Sequence, residues 1–174
     1  MFLRHLAAFL ALPFVAAFLV PAGIAWHKGV APAWPSDARA ALLAGFAVVV
    51  LAAGLTLFVS SVHQFVVRGR GTLAPWDPPQ RLVVAGPYRY VRNPMISGVL
   101  LILIAEALFL RTQAHALWAL GFAIVNAIYI PLVEEPQLAR RFGDDYRLYC
   151  RHVRRLMPRL TAWVQPDLRG GLER

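Results

Sequence analysis

The chain has 174 residues, of which 59% are hydrophobic and 16% charged, and its formal net charge is +9. This apolar content excludes an ordinary soluble domain of such a length. The single cysteine excludes both an intrachain disulfide and a metal cluster built from cysteines.

Four apolar runs with almost no charge predict four membrane helices: residues 6–26, 40–67, 95–110 and 116–133. A helix rises about 1.5 Å per residue and the hydrocarbon core is about 30 Å thick, so about 20 residues span it. The second run is long enough to project beyond the bilayer. The third is marginal alone and is expected to begin within the polar residues before it. A tight hairpin through residues 111–115 is predicted to join the last two helices.

The first run has an alternative interpretation as a signal peptide, because Arg4 and His5 precede its apolar residues. However, the run is longer than the apolar part of a usual signal peptide, and no small-x-small cleavage site ends it. An uncleaved first helix is therefore the favoured prediction.

The basic residues predict how the helices are oriented. Four spans place both termini and the loop between the second and third helices on one side, and all but three of the 18 basic residues fall there. The positive-inside rule therefore predicts that both termini and this loop are cytoplasmic, in a bacterial inner membrane. Attraction to anionic lipid headgroups explains the positive charge without a nucleic-acid partner.

The tail after the fourth run predicts an amphipathic helix at the membrane interface. Its apolar residues recur at spacings of three and four, which places them on one face of a helix: Leu138, Phe142, Tyr146, Tyr149, Val153, Leu156 and Leu160. The predicted fold is thus an all-α polytopic membrane protein with about four transmembrane helices and a C-terminal interfacial helix. It forms a single domain, residues 1–174, with an N-terminal helix pair at 6–67.

Two polar stretches flank the predicted hairpin and are expected to meet, because the ends of a helical hairpin lie side by side. The gate segment, residues 86–94, reads GPYRYVRNP, and the exit segment, residues 134–149, begins with paired glutamates. Acidic groups beside a membrane span are costly unless solvated or paired. Arg89 and Arg92 are the available partners for Glu134 and Glu135. An ion-paired clamp on the hairpin explains these residues as well as a binding site does.

Other polar residues of the apolar runs receive structural interpretations. Glu106 is expected to extend toward water beside Arg111, and Asn126 to bond a neighbouring helix. Pro131 is expected to bend the fourth helix.

The two segments together resemble the isoprenylcysteine carboxyl methyltransferase family of membrane enzymes, which is related to the phospholipid methyltransferases. GPYRYVRNP before a helix and EEPQLARRFGDDYRLYCRHV after the hairpin match the family pattern over residues 80–160, almost half of the chain. Either segment alone is only suggestive, whereas both at the matching separation are specific. Three positions depart from the eukaryotic pattern: Asn93 replaces histidine, Ile96 replaces tyrosine, and Ile130 replaces an arginine that holds the substrate carboxylate.

The resemblance implies S-adenosylmethionine as methyl donor and a lipophilic or lipid-modified acceptor. It implies catalytic roles for Arg92, Asn93 and Glu134, and no metal. The implied cofactor-binding residues are Gln80, Arg81, Leu82, Val83, Gly86, Tyr88, Arg89, Asn93, Pro94, Met95, Ile96, Glu134, Glu135 and Tyr146.

The residue chemistry agrees with such a cofactor. Glu134 can balance its cationic groups, a ring of Tyr88 or Tyr90 can face the sulfonium, and Arg89 or Arg92 can pair with its carboxylate. No glycine-rich strand–turn–helix pattern occurs, which excludes a Rossmann-type methyltransferase.

Several alternatives stay open at this point. The acceptor group is a carboxylate, a thiol or a phospholipid amine, and only the last two gain from a general base. His63 and His152 are the candidate bases. Outside this enzyme class, the chain is a non-catalytic protein that binds anionic lipid or a partner, or a membrane reductase that uses a nicotinamide cofactor.

Overall fold

The computed structural model describes residues 10–30, 34–69 and 80–164, and these residues form helices without a β-strand. The predicted all-α membrane fold is confirmed. The helices are α1 Val20–Lys28, α2 Ala38–Gly69, α3 Pro94–Leu110, α4 Gln113–Tyr129 and α5 Glu135–His152. A π-helical stretch, Leu10–Leu19, leads into α1, a 3-10 turn, Gly86–Arg89, precedes α3, and a second π-helical stretch, Ile130–Glu134, joins α4 to α5.

Within the described ranges, two helical stretches are long and apolar enough to cross a membrane. One is α2, and the other is the continuous stretch from Gln113 to His152, whose apolar part ends at Val133. Their most apolar windows are only 17% and 11% buried against the rest of the described protein. A core helix of a soluble protein would be mostly buried, so these outward apolar faces fit surrounding lipid.

The other two predicted spans, the first and the third, are shorter than these two stretches in the described residues. α3 has 17 residues, at the lower limit for crossing a bilayer, and it begins at Pro94 inside the gate segment as expected. The first run is described only from Leu10, so its predicted start at Leu6 lies outside the described residues. α2 has 32 residues and extends about 48 Å at 1.5 Å per residue, so it projects beyond the hydrocarbon core as predicted.

α2 and α3 pack most closely where two glycines meet. A Cβ atom added to Gly98 would lie 2.8 Å from the backbone nitrogen of Phe58, and one added to Gly54 would lie 3.0 Å from the carbonyl oxygen of Gly98. Backbone atoms cannot yield unless a helix moves, so these positions require glycine for the close approach. A buried core surrounds the contact and includes Phe58, Val99, Ile102, Leu103 and Ala119.

The hairpin between α3 and α4 is confirmed, with a shorter turn than the predicted residues 111–115. Arg111 ends α3 in the left-handed conformation (φ 53°), and the Thr112 side chain accepts a hydrogen bond from the His115 N–H at the start of α4. His115 lies within α4 and is 2% exposed, with Nε2 3.1 Å from the Pro21 carbonyl oxygen. This histidine therefore ties α1 to the turn of the hairpin.

Two polar residues of these helices differ from their predictions. Asn126 donates to the Phe122 carbonyl oxygen of its own helix at 2.8 Å, so the predicted bond to a neighbouring helix is wrong. Within the described residues no ion pair joins Glu106 to Arg111, and Glu106 Oε2 is buried without a hydrogen-bond partner. Five positions separate these two residues, so they do not share a helix face.

The chain changes helical geometry twice after α4. Pro131 has no N–H for the regular bonding pattern, and it lies in the π-helical stretch. The predicted bend of the fourth helix at this residue stays a prediction. α5 breaks at Gly143 (φ 55°) and ends at His152, after which Val153 is extended. The prediction that Leu156 and Leu160 continue the apolar face is wrong, because they follow the helix end and are 44% and 102% exposed.

The apolar face of α5 packs on the protein itself. Tyr146, Tyr149 and Val153 form a buried cluster with Trp163, and Leu82 and Val84 pack against it. The interfacial helix is therefore fixed to the residues that precede the gate segment.

Candidate active site

The gate segment is held against α2 by a glycine. Gly86 has a φ of +54°, and an added Cβ would lie 2.9 Å from Cγ of Gln64 on α2. Only glycine adopts this conformation freely and also leaves room for the glutamine side chain. The 3-10 turn that follows buries Tyr88, and Pro94 then begins α3, where its missing N–H costs no helical bond.

A second backbone segment runs beside the gate segment in the opposite direction. This segment, residues 153–163, follows α5 and is called the C-terminal strap. It makes four backbone hydrogen bonds with the gate segment. The donors and acceptors are Arg92 N–H to Arg154 O (2.9 Å), Asn93 N–H to Arg155 O (3.3 Å), Arg159 N–H to Tyr90 O (2.9 Å) and Trp163 N–H to Arg89 O (3.0 Å). Arg89 also donates from Nε to the Trp163 carbonyl oxygen at 2.8 Å. The strap therefore fixes the position of the gate segment.

An ion-paired clamp joins the gate segment, the exit segment and the strap. Arg155 binds both carboxylate oxygens of Glu135, with distances of 2.7 and 2.8 Å, and Arg92 Nη1 lies 3.1 Å from Oε1 of the same carboxylate. Burial on its own would raise the pKa of Glu135, but the hydrogen bonds from Arg155 and the charge of Arg92 outweigh it and lower the pKa. The predicted pair of Arg92 and Glu135 is confirmed.

The other predicted ion pairs are not formed. The guanidinium of Arg89 bonds the Trp163 carbonyl oxygen instead of a glutamate, because the strap lies beside the gate segment at this point. Glu134 makes no hydrogen bond and no ion pair within the described residues. The neighbouring glutamate takes both available guanidinium groups.

Two buried tyrosines, Tyr88 and Tyr149, link the gate segment to α5. The Tyr149 hydroxyl donates to the Tyr88 carbonyl oxygen at 2.6 Å, which fixes the gate segment on α5. Burial raises the pKa of the Tyr88 hydroxyl, and the nearby charge of Glu134 raises it further. Tyr88 and Glu134 therefore lie within electrostatic range of each other, at the junction of the two polar segments.

Glu134 is the least compensated acidic group at this junction. It lies just beyond the apolar run that ends at Val133, and burial raises the pKa of its carboxyl, with a further contribution from the charge of Glu135. A half-buried carboxylate without a cation is less stable than a solvated one, and a positively charged ligand would stabilise it.

The other residues implied by the resemblance fall into three places. Gln80 and Arg81 are exposed, and their N–H groups donate to the Gly69 carbonyl oxygen at the end of α2. Leu82 packs on the cluster around Tyr149, and Val83 is buried. The last group lies at the start of α3. The Asn93 side chain makes no capping bond, and Pro94 is buried. Ile96 is half-buried, and Met95 packs on the α2–α3 core.

A groove with a volume of about 470 Å³ lies beside the clamp. Its lining comprises Pro131, Glu135, Pro136, Ala139, Tyr146, Arg147, Cys150 and Arg151. Two of the residues implied to bind cofactor, Glu135 and Tyr146, line this groove, whereas Tyr88 and Glu134 do not.

Several residues that build the junction were not singled out from the sequence. Arg155 belongs to a run of arginines that reads as a solvated helix face, and Trp163 lies past the end of the recognised pattern. Cys150 is assigned no role, yet its Sγ is 2.7 Å from Arg92 Nη1. Arg155 and Arg159 flank the Leu–Met–Pro stretch after α5, and nothing in the sequence distinguishes the arginine that pairs with Glu135 from a surface arginine.

Neither candidate base makes a hydrogen bond with Tyr88 or Glu134 within the described residues. His152 is exposed, its Nδ1 is 2.9 Å from the Leu148 carbonyl oxygen, and its ring stacks on Trp163. His63 is exposed on α2.

Comparison with known proteins identifies the family of the chain. The family model described as phospholipid methyltransferase matches residues 41–145, more than half of the chain, including the gate segment and most of the exit segment. Methanethiol S-methyltransferase 2 of Bradyrhizobium diazoefficiens is 37% identical over 83 residues. The matched part is 46% of this chain and 30% of that relative, and no solved structure matches. The resemblance found in the sequence is thus confirmed, and the chain belongs to the phospholipid methyltransferase family.

Proposed function

We propose that the chain is a membrane methyltransferase that uses S-adenosylmethionine and modifies a lipophilic or membrane-delivered acceptor. The observation that carries this proposal is the half-buried Glu134 within electrostatic range of Tyr88, an acidic group with no cation bonded to it in the described part of the chain. Membership in the family supplies the class of reaction.

The residues at the junction fit the charges of this cofactor. S-adenosylmethionine carries two cationic groups and one carboxylate. Glu134 and the ring of Tyr88 suit the cations, and Arg92 Nε, which is buried without a hydrogen-bond partner, suits the carboxylate. Asn93 adds an amide that is not used for capping.

When bound, the cofactor would supply a methyl group activated by a positively charged sulfur. The residues of this chain would align that group and exclude water, and good alignment can lower a barrier by about 7–11 kcal/mol. Tyr88 and Tyr149 are 9% and 2% exposed, so water is already excluded from the tyrosine side of the junction. The clamp of Glu135 with Arg92 and Arg155 would hold the gate segment in position during the reaction.

The proposed location follows from the basic residues and the fold. All of the junction lies at the end of the helices from which the C-terminal strap emerges, and the positive-inside rule places this end in the cytoplasm. The site would then open at the cytoplasmic face of a bacterial inner membrane, where both water-soluble cofactor and lipid-dissolved acceptor have access.

A thiol or an amine is the proposed acceptor group, in preference to a carboxylate. Ile130 occupies the position implied to hold the acceptor carboxylate, and it is fully buried and apolar. The matching relative is named for methanethiol, and the matching family is named for phospholipids.

Ligand binding by the purified full-length chain tests the site. Calorimetry should show binding of S-adenosylmethionine and none of NADPH, and Glu134→Gln should weaken that binding by about tenfold or more, since a charge-assisted contact is lost. Glu106→Gln is the matched control, because it removes a carboxylate far from the junction and should leave binding unchanged. Absence of S-adenosylmethionine binding, or tight NADPH binding, would overturn the proposal.

The acceptor requires a transfer experiment. Cofactor carrying a labelled methyl group is supplied with a membrane extract, with methanethiol, or with phosphatidylethanolamine, and the labelled product is identified. Label on a thiol or a phospholipid amine supports the proposed acceptor class. Label on a carboxylate would refute the preference drawn from Ile130.

A further inference from the structure

The lining of the groove beside the clamp includes both apolar and basic residues. Pro131 and Pro136 lie where the apolar run of α4 ends, and Ala139 continues this side on the first turns of α5. Arg147 and Arg151 line the groove from the part of α5 that follows Gly143. They are four positions apart on the regular part of α5 after Gly143, so both guanidinium groups point to one side of the helix.

The net charge of the groove is positive. Glu135 is the acidic residue of its lining, and Arg92 and Arg155 already neutralise this carboxylate. Arg147 pairs with Asp144 at 2.9 Å, but the two side chains are 66% and 94% exposed, and such surface pairs exchange readily. Within the described residues, no ion pair holds Arg151. Two guanidinium groups therefore face an open groove at its rim.

We propose that this groove binds the headgroup phosphate of an acidic phospholipid, with Arg147 and Arg151 as the phosphate-binding residues. Arginine suits this role because its planar fork can give two parallel hydrogen bonds to one phosphate. The groove begins at the end of an apolar helix, the depth at which headgroups lie. Leu132 is 71% exposed beside it and offers an apolar path for an acyl chain.

The two residues on which the proposed cofactor site rests lie outside this groove, although Glu135 and Tyr146, which the resemblance also implies at the cofactor, are part of its lining. Tyr88 and Glu134 are outside the lining of the groove. A lipid held at Arg147 and Arg151 would anchor α5 to the bilayer surface through its basic rim, while the apolar face of the same helix packs on the protein.

Lipid retention by the full-length chain tests the proposal. The purified chain is mixed in detergent micelles with phosphatidylglycerol or with phosphatidylcholine, and native mass spectrometry counts the retained lipid molecules. We expect selective retention of phosphatidylglycerol and a loss of about tenfold or more in Arg147→Gln/Arg151→Gln, since both charge-assisted contacts with the phosphate are lost. The matched control, Arg140→Gln/Arg154→Gln, removes the same charge from exposed positions outside the groove and should retain the lipid.

A second variant tests the groove without changing charge. Ala139→Phe fills its apolar side and should reduce retention, with circular dichroism showing that the helices are intact; if this variant unfolds, the arginine variants decide. Equal loss in the control variant would mean adsorption by net charge and would overturn the proposal. So would equal competition by soluble glycerol phosphate, which would assign the site to a free phosphate compound. Loss of S-adenosylmethionine binding in Arg147→Gln/Arg151→Gln would place the groove in the cofactor site and equally overturn it.

Discussion

Replacing Glu135 by glutamine should destabilise the protein more than any other single change of charge in the exit segment. The substitution keeps the size of the side chain and removes its negative charge. Arg92, whose side chain is only 12% exposed, then loses its anion, and Arg155 loses two charge-assisted hydrogen bonds.

The solvent exposure of the clamp side chains determines how much unfolding free energy the substitution is expected to remove. Breaking a fully buried ion pair costs about 3–5 kcal/mol, whereas an exposed pair contributes about 0–1 kcal/mol. The carboxylate of Glu135 is 19% exposed and the side chain of Arg155 is 35% exposed, so the clamp lies nearer the buried case but is partly screened. We therefore expect Glu135→Gln to lower the free energy of unfolding by about 2–4 kcal/mol.

Equilibrium unfolding in mixed detergent micelles, followed by circular dichroism, measures this change. Asp144→Asn is the control, because it breaks the exposed pair with Arg147 and should cause no measurable change. Because the pKa of Glu135 is lowered in the folded protein, the contribution of the clamp is present above the pKa of the unfolded chain. It is lost as the pH falls through the lower folded value. Equal stability of Glu135→Gln and Asp144→Asn would refute the clamp.

Three further predictions concern the helix contacts and the junction. Gly98→Ala should lower the free energy of unfolding by about 1–3 kcal/mol in the same assay, because its Cβ meets the Phe58 backbone; an unchanged value would mean that the helices do not approach so closely. His115→Leu should cost about 1–3 kcal/mol through the lost contact with the Pro21 carbonyl oxygen, and a neutral result would contradict this tie. Because the pKa of Glu134 is raised, calorimetric affinity for S-adenosylmethionine should fall with decreasing pH, starting above the ordinary range of a glutamate. Glu134→Gln should remove that dependence, and its persistence would assign it to another group.

The meeting of the two polar segments could be predicted because it follows from local geometry. Residues on both sides of a short helical hairpin return to the same membrane face, and the pair of Arg92 with Glu135 confirms this expectation. The role of Glu134 stays a prediction, supported by its burial near Tyr88. The pairing of Arg89 was wrong because its actual partner is a backbone carbonyl of the strap, 74 positions later in the chain.

The apolar runs determined the helices, since hydrophobicity and helical rise act within each segment and need no neighbour. The sequence also indicated an irregular helix at Pro131, because a proline removes its own backbone donor wherever it stands. The tertiary structure alone decided which of the many arginines joins Glu135 and which stay at the groove rim. All arginines carry the same charge, and only their distance from Glu135 after the chain turns back at Val153 distinguishes Arg155 from Arg147 and Arg151.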